Sequence, residues 1–233
     1  MADDAIHYIA QINHVKEVIL FGTADLLFWR ERLRTQGLIP YDDKGQAALL
    51  ITATDLAWLG IRFQELTVSV VVSQPEDGRR QDGFYLVCAF NSSRLLALAE
   101  RTFFQTPYHH AQVQVEHRLP ASLALRAGSL PRLKASMKGA RPLLRSADEL
   151  WEGMIFLPRD TNQANVPGRY FQARLGGRTE TYPFSSNTDS FELAPTPDDT
   201  VFQWLVTSHF SAQEWRVRAD AAHSRSQTFT RPA

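Results

Sequence analysis

Phe63-Gln64-Glu65-Leu66-Thr67-Val68-Ser69-Val70-Val71-Val72-Ser73 alternates along its length. Leu66, Val68, Val70 and Val72 fall on one face, and Glu65, Thr67 and Ser69 on the other. Side chains of a strand point to opposite faces with a period of two, so this stretch predicts a β-strand with one buried side. The neighbouring sequence extends the pattern. Residues 46–53 read as a second strand, and residues 84–90 are apolar on both faces, as in a strand covered on both sides. Between the latter and the first strand, Pro75-Glu76-Asp77-Gly78 through Asp82-Gly83 is polar and glycine-containing, which predicts a hairpin.

Working outward, residues 15–21 read as a strand and residues 23–36 as a helix. Thr23 is positioned to cap that helix and Gly37 to stop it, with Leu26, Leu27, Trp29 and Leu33 opposed to Arg30, Glu31, Arg32 and Arg34. Residues 40–45 form a turn. Asn91-Ser92-Ser93 supply caps for a helix over 94–104, with Leu95, Leu98, Ala99 and Thr102 at helical spacing, and Pro107 ends it. A strand over 108–119 then places His110, Gln112, Gln114 and Glu116 opposite His109, Ala111, Val113, Val115 and His117. Strands are predicted at 122–133, 170–181, 189–193 and 202–210, and an irregular loop at 158–168. Residues 150–157 fit a strand or a short helix. Gly176-Gly177 reads as a hairpin turn, and the polar residues 222–233 as a loosely ordered tail. The fold class is mainly β (α+β): one domain over 1–233, mostly antiparallel, with a few covering helices.

The 233 residues carry 25 Lys+Arg against 25 Asp+Glu, and this zero net charge argues against a nucleic-acid partner. With 44% hydrophobic and 21% charged residues, the balance is that of a globular domain. Such a chain buries roughly 70% of the surface its unfolded form exposes, so it folds without staples. The lone Cys88 allows no internal disulfide, and in so apolar a strand it reads as an inert thiol. The acidic start lacks the basic and apolar regions of a signal peptide, and no apolar run approaches the ~20 residues of a membrane helix. A soluble cytoplasmic protein with no membrane partner is the expectation.

No G-x-G-x-x-G, P-loop, H-E-x-x-H or G-x-S-x-G is present. The His109-His110 pair is unusual, but neighbours on a strand face opposite ways and cannot easily share an ion, and His109 lies too far from His117 along a strand. Metal binding is therefore not expected. A histidine lining a pocket as acid or base stands beside a structural role. Glu65 also has two readings. It belongs to a solvated face, or it points into a barrel or cone interior with an arginine such as Arg62 near the opening. Burial would raise its pKa and an arginine neighbour would lower it.

Three stretches, in order, resemble the acetoacetate decarboxylase-like superfamily. They are Gly60-Ile61-Arg62-Phe63-Gln64-Glu65, then Tyr85-Leu86-Val87-Cys88-Ala89-Phe90 leading into the 91–104 helix, then Arg101-Thr102-Phe103-Phe104-Gln105-Thr106-Pro107-Tyr108-His109-His110-Ala111. The last looks like the family's arginine, aromatic, proline and reactive residues at a strand start, and more like an uncharacterised branch with Pro-Tyr there. The resemblance covers about residues 15–120. It implies a curved, cone-like antiparallel sheet or barrel around a central cavity. In the decarboxylases two adjacent lysines follow the proline, one forming the Schiff base while its cationic neighbour lowers its pKa. Here those positions are Tyr108 and His109, and no lysine lies between Lys44 and Lys134. Neither phenol nor imidazole forms the imine, so Schiff-base decarboxylation does not carry over, whereas Glu65 matches a family-like acidic position.

The resemblance thus implies a cavity for a small organic acid or enolisable carbonyl compound. It implies acid–base chemistry of lyase, isomerase or hydratase type, with Glu65, Tyr108 and His109 catalytic and no cofactor or metal. Arg62, Arg101 and His110 are the expected substrate-binding residues. The alternative is a non-catalytic small-molecule-binding or protein-interaction protein on the same scaffold, and pairing of β edges into a homo-oligomer is compatible with either. A β-bulge after Pro107 would exchange the faces of His109 and His110.

Overall fold

The computed structural model describes residues 6–76, 79–139, 141–159 and 167–231. In chain order the strands and helices are β1 (Tyr8–Asp25), α1 (Leu26–Arg34), β2 (Ile39–Pro40), β3 (Asp42–Asp43), β4 (Gln46–Trp58), β5 (Ile61–Glu76) and β6 (Arg79–Asn91). Then follow α2 (Arg94–Phe103), β7 (Tyr108–His110), β8 (Gln112–Glu116), β9 (Ser122–Ala127), β10 (Leu130–Ser136) and β11 (Arg145–Leu157). The last are β12 (Arg169–Pro183), β13 (Ser190–Leu193), α3 (Thr200–Thr207) and β14 (Ser211–Thr230).

The large sheet closes on itself. Its path runs β5–β4–β1–β14–β12–β11–β6, and β6 pairs back to β5. Neighbours on this path are antiparallel except β11 and β6, which pair in parallel from Met154↔Gly83 to Phe156↔Tyr85. Closure satisfies the edges that an open sheet would expose. Gly83 permits that closure: a Cβ there would sit 2.5 Å from the Met154 carbonyl oxygen and 2.8 Å from the Phe156 ring. β7 adds in parallel to the end of β6. A second, antiparallel sheet of order β13-β10-β9-β8 packs on the outside.

The period of two divides the ring into two faces. Val18 and Leu20 of β1, Leu49 and Ile51 of β4, Leu66, Val68 and Val70 of β5, and Tyr85 and Val87 of β6 point outward into the main core. There they meet Val113, Leu123, Leu125 and Leu133 of the second sheet, Trp29 and Leu33 of α1, and Phe202 and Leu205 of α3. The alternate residues point inward. Asp25 caps α1 by accepting from the Phe28 amide at 2.7 Å, and Ser93 caps α2 by accepting from the Leu96 amide.

Several elements differ from the sequence reading. The first helix begins at Leu26, because β1 runs through Thr23 to Asp25 beside β4. The predicted hairpin is present, but its strands stay paired out to Glu76↔Arg79, and its tip at 77–78 lies outside the described residues. Residues 108–119 split into β7 and β8, which join different sheets. Residues 150–157 are strand, within β11. Gly176-Gly177 is no turn: both lie inside β12, where the register against β14 shifts between Gly177 and Glu180. The predicted strand at 202–210 is mostly helix, since Phe202 and Leu205 bury one face of α3 at a three-residue spacing. The expected loose tail is also wrong: residues 222–230 continue β14, held between β1 and β12. Most of the predicted 158–168 loop, residues 160–166, lies outside the described residues.

Candidate functional site

The inward face of the ring encloses a cavity of about 820 Å³. Strand β5 gives it Phe63, Glu65, Thr67 and Ser69, β4 gives Leu50, Thr52, Thr54 and Leu56, and β1 gives Glu17 and Ile19. The polar side of the alternation at 63–73 is thus a cavity wall, which is the interior reading of Glu65. Helix α2 covers one side with Leu96, Ala99 and Glu100. Trp151 and Ile155 of β11, Phe171 of β12, and Arg218, His223 and Arg225 of β14 also line it.

Glu65 and Tyr108 meet inside. The Tyr108 hydroxyl donates to Glu65 Oε2 at 3.3 Å, and Asn91 Nδ2 donates to Oε1 at 2.9 Å. Asn91 is itself fixed because its Oδ1 accepts from the Ser93 amide at 2.7 Å, at the start of α2. Pro107 places Tyr108 by starting β7, whose first bond runs from the Ala89 amide to the Pro107 carbonyl at 3.1 Å. Burial raises the Glu65 pKa from 4.5 to about 7, and the charge of Glu100 pushes the same way. The bonds from Tyr108 and Asn91 and the nearby His223 oppose this and are outweighed. Tyr108 is held well above its ordinary value, first by burial and then by the carboxylates of Glu65 and Glu100. It is a neutral hydrogen-bond donor at physiological pH.

Two guanidinium–carboxylate clusters frame this pair. Arg225 Nη1 donates to both oxygens of Glu100 at 2.8 Å, and Thr106 Oγ1 donates to Glu100 Oε2 at 2.9 Å. The Arg225 guanidinium lies 4.3 Å from the Phe171 ring centre and 4.7 Å from that of Phe104. In the second cluster, Arg218 donates to Glu17 at 2.9 Å, to Glu149 at 3.2 Å and to the Thr179 hydroxyl at 2.7 Å. His223 Nε2 stands 3.7 Å from Glu17 Oε2. Burial alone would raise Glu17, but His223 and Arg218 prevail and bring it from 4.5 down to about 2.

The other expected site residues lie elsewhere. His109 is exposed on the opposite side of β7 from Tyr108, 6.0 Å from the Phe90 ring, because successive strand side chains alternate. His110 is exposed where β7 ends beside Asn91, and it is not part of the cavity wall. Arg62 is 70% exposed and tied to Asp55 through bonds of 2.9 and 2.6 Å. Arg101 is exposed in the last turn of α2. None of Lys16, Lys44, Lys134 and Lys138 lines the cavity. Cys88 is buried, and burial raises its thiol far above its ordinary value. Among the described residues no group of three or more His, Cys, Asp and Glu side chains is placed to hold a metal ion. Among them, too, no helix is long and apolar enough to cross a membrane.

Sequence reasoning missed Glu100, Arg225, Arg218, Glu17 and Glu149, and took Asn91 only as a helix cap. The signal for Asn91 and Glu100 was at hand: the helix predicted after Asn91 had to cover whichever face Glu65 occupied. Arg225 carries no such signal, since it stands in a segment whose polarity hides its strand, and Arg218 lies in a stretch with no sequence assignment.

No protein-family model matches the sequence, and no curated protein matches it. Solved structures do match the fold. An acetoacetate decarboxylase from Legionella pneumophila aligns with a TM-score of 0.65 at 10% identity, over 98% of this chain and 90% of that one. An acetoacetate decarboxylase-like enzyme from Sphingomonas wittichii RW1 aligns with 0.60 at 10% identity, over 99% and 95%. The enduracididine biosynthesis enzyme MppR, complexed with pyruvate, aligns with 0.61 at 12% identity, over 98% and 93%. The likeness spans both chains nearly end to end, and what it shows is a common fold.

Proposed function

For a chain with the acetoacetate decarboxylase-like fold, we propose that it binds an enolisable carbonyl compound in the central cavity and moves a proton on it without a Schiff base. In this reading the Glu65 carboxylate takes a proton from the carbon next to the carbonyl. The electron pair passes to the carbonyl oxygen, which Tyr108 stabilises by donating a hydrogen bond. Return of the proton to the same or a neighbouring carbon completes an exchange or isomerisation, with no other reactant consumed.

The observation that carries the reading is Glu65 itself, a cavity carboxyl held by Asn91 and Tyr108 with its pKa raised to about 7. A base poised near the working pH is the most effective proton carrier. Tyr108 suits the donor role because its pKa lies too high for it to ionise beside Glu65. The bond between them, at 3.3 Å, is long for a bond between oxygens, so a ligand oxygen competes for the Tyr108 proton at little cost.

The test is solvent-deuterium exchange into benzylacetone, followed by NMR. The reading expects the chain to accelerate exchange at the carbons beside the carbonyl. Glu65→Gln then loses about 10²–10⁴-fold of that rate, the usual contribution of a general base. Tyr108→Phe loses about 10²-fold or more, as removal of an oxyanion donor does. A folded Glu65→Gln protein with the full rate overturns the reading, as does the lack of any acceleration across neutral ketones; the cavity is then a binding site only.

A further inference from the structure

We propose that the cavity selects ligands carrying an amine-type cation on an apolar body and rejects small carboxylates. This inference rests on the proposal that the cavity is the working site, and it names the ligand class.

A carboxylate ligand needs a guanidinium with free donors facing it. Among the described residues three arginines border the cavity, and each already holds a carboxylate. Arg218 uses Nε on Thr179, Nη1 on Glu17 and Nη2 on Glu149. Arg225 holds both oxygens of Glu100 through Nη1, between the Phe104 and Phe171 rings; its Nε and Nη2 have no hydrogen-bond partner among the described residues but are buried with almost no accessible surface, so neither is presented to a ligand. Arg216 donates through Nε and Nη2 to Glu214 and lies over the Phe21 ring.

The acids, by contrast, are in excess. Glu17, Glu65, Glu100, Asp148 and Glu149 all border the cavity. Glu17 is served by Arg218 and by His223 at 3.7 Å, and Arg218 also shares Glu149 with Arg145. Among the described residues Glu65 is bonded to the neutral Asn91 and Tyr108, and it feels the charge of Glu100 more strongly than that of His223. An entering carboxylate adds to that repulsion, whereas an ammonium relieves it. Trp58, Phe63 and Trp151 supply aromatic faces that attract a cation. The volume of about 820 Å³ suits a ligand with a substantial apolar body, larger than a simple keto acid.

The experiment is calorimetric titration of the full chain with three probes of matched body: phenethylamine, hydrocinnamate and phenethyl alcohol. At about pH 8 phenethylamine is expected to bind at least tenfold tighter than hydrocinnamate, the effect of one unbalanced charge in a partly screened site. Its affinity falls several-fold by about pH 6, as Glu65 takes up its proton among Asn91, Tyr108, Glu100 and His223. In Glu65→Gln that pH dependence is lost. Hydrocinnamate binding as tightly as the amine, or neither binding, overturns the inference. Amine preference without ketone exchange would refute only the proton-transfer reading. Exchange together with hydrocinnamate preference would refute only this one.

Discussion

Replacing Glu65 by Gln makes the protein more stable at alkaline pH, because its carboxylate is kept where a charge is poorly tolerated. Unfolded, Glu65 loses its proton near 4.5, whereas folded it keeps the proton up to about 7. Between those values the folded state binds more protons, so stability falls as pH rises, and the cost is complete above the folded pKa. At about 1.36 kcal/mol per tenfold change in proton affinity, the displacement from 4.5 to about 7 costs about 3 kcal/mol. Glutamine keeps an oxygen for the Asn91 donor, turns an amide N–H toward the Tyr108 hydroxyl, which can accept it, and never ionises. Urea unfolding of both proteins at about pH 4 and about pH 8.5 measures the difference. The expected gain of the variant over wild type grows by about 3 kcal/mol from the lower to the higher pH. A difference that stays constant with pH, or a variant that becomes the less stable partner at high pH, would refute the reasoning.

The other predictions concern the frame around the site. Glu17→Gln leaves buried Arg218 underpaired and costs about 3–5 kcal/mol near neutral pH by urea unfolding. Because Glu17 is depressed to about 2, its stabilising ionisation is lost as pH falls below 4.5, and the gap to wild type narrows by about pH 2.5. Gly83→Ala pushes a methyl group against the Met154 carbonyl and the Phe156 ring, so it should cost about 1–3 kcal/mol and lower Tm. Cys88, buried with its thiol raised, should stay inert to a thiol reagent such as Ellman's in the folded protein and react once it is unfolded in urea.

Much of the ring could be read from sequence because it obeys simple periodicities. Leu66, Val68 and Val70 alternate with Glu65, Thr67 and Ser69 since one face meets the core and the other the cavity. The run from Phe84 to Phe90 is apolar on both faces because one face meets the main core and the other the cavity. The same cavity explains the failures. The end of strand β14 looks like a tail because its inward positions include His223 and Arg225, which are polar toward the cavity and not for solvent. Helix α3 was hidden because Val201, Phe202, Trp204, Leu205 and Val206 form a run as fit for a strand as for a helix. Asp199 stands at the helix start, but its carboxylate accepts from the Thr196 amide at 3.1 Å and makes no capping bond to the helix.

The site was half legible. The resemblance points to Glu65 and to Tyr108 after Pro107, and both line the cavity, whereas His109 does not line it and is exposed. Arg62 seemed free to face the cavity because Asp55, on the adjacent strand, lies seven positions away in sequence, and strand pairing alone brings the two together. Pairs such as Glu100 with Arg225 join residues 125 positions apart, and periodicity cannot report them.

The central claim is that Glu65 is the working base of a lysine-free cavity. Its most direct test is the pH–rate profile of deuterium exchange into benzylacetone. The account predicts a rate that climbs to a plateau through about pH 7, where Glu65 ionises, and a climb that vanishes in Glu65→Gln. An inflection near 4.5, the ordinary glutamate value, or an unchanged profile in the variant, would contradict it.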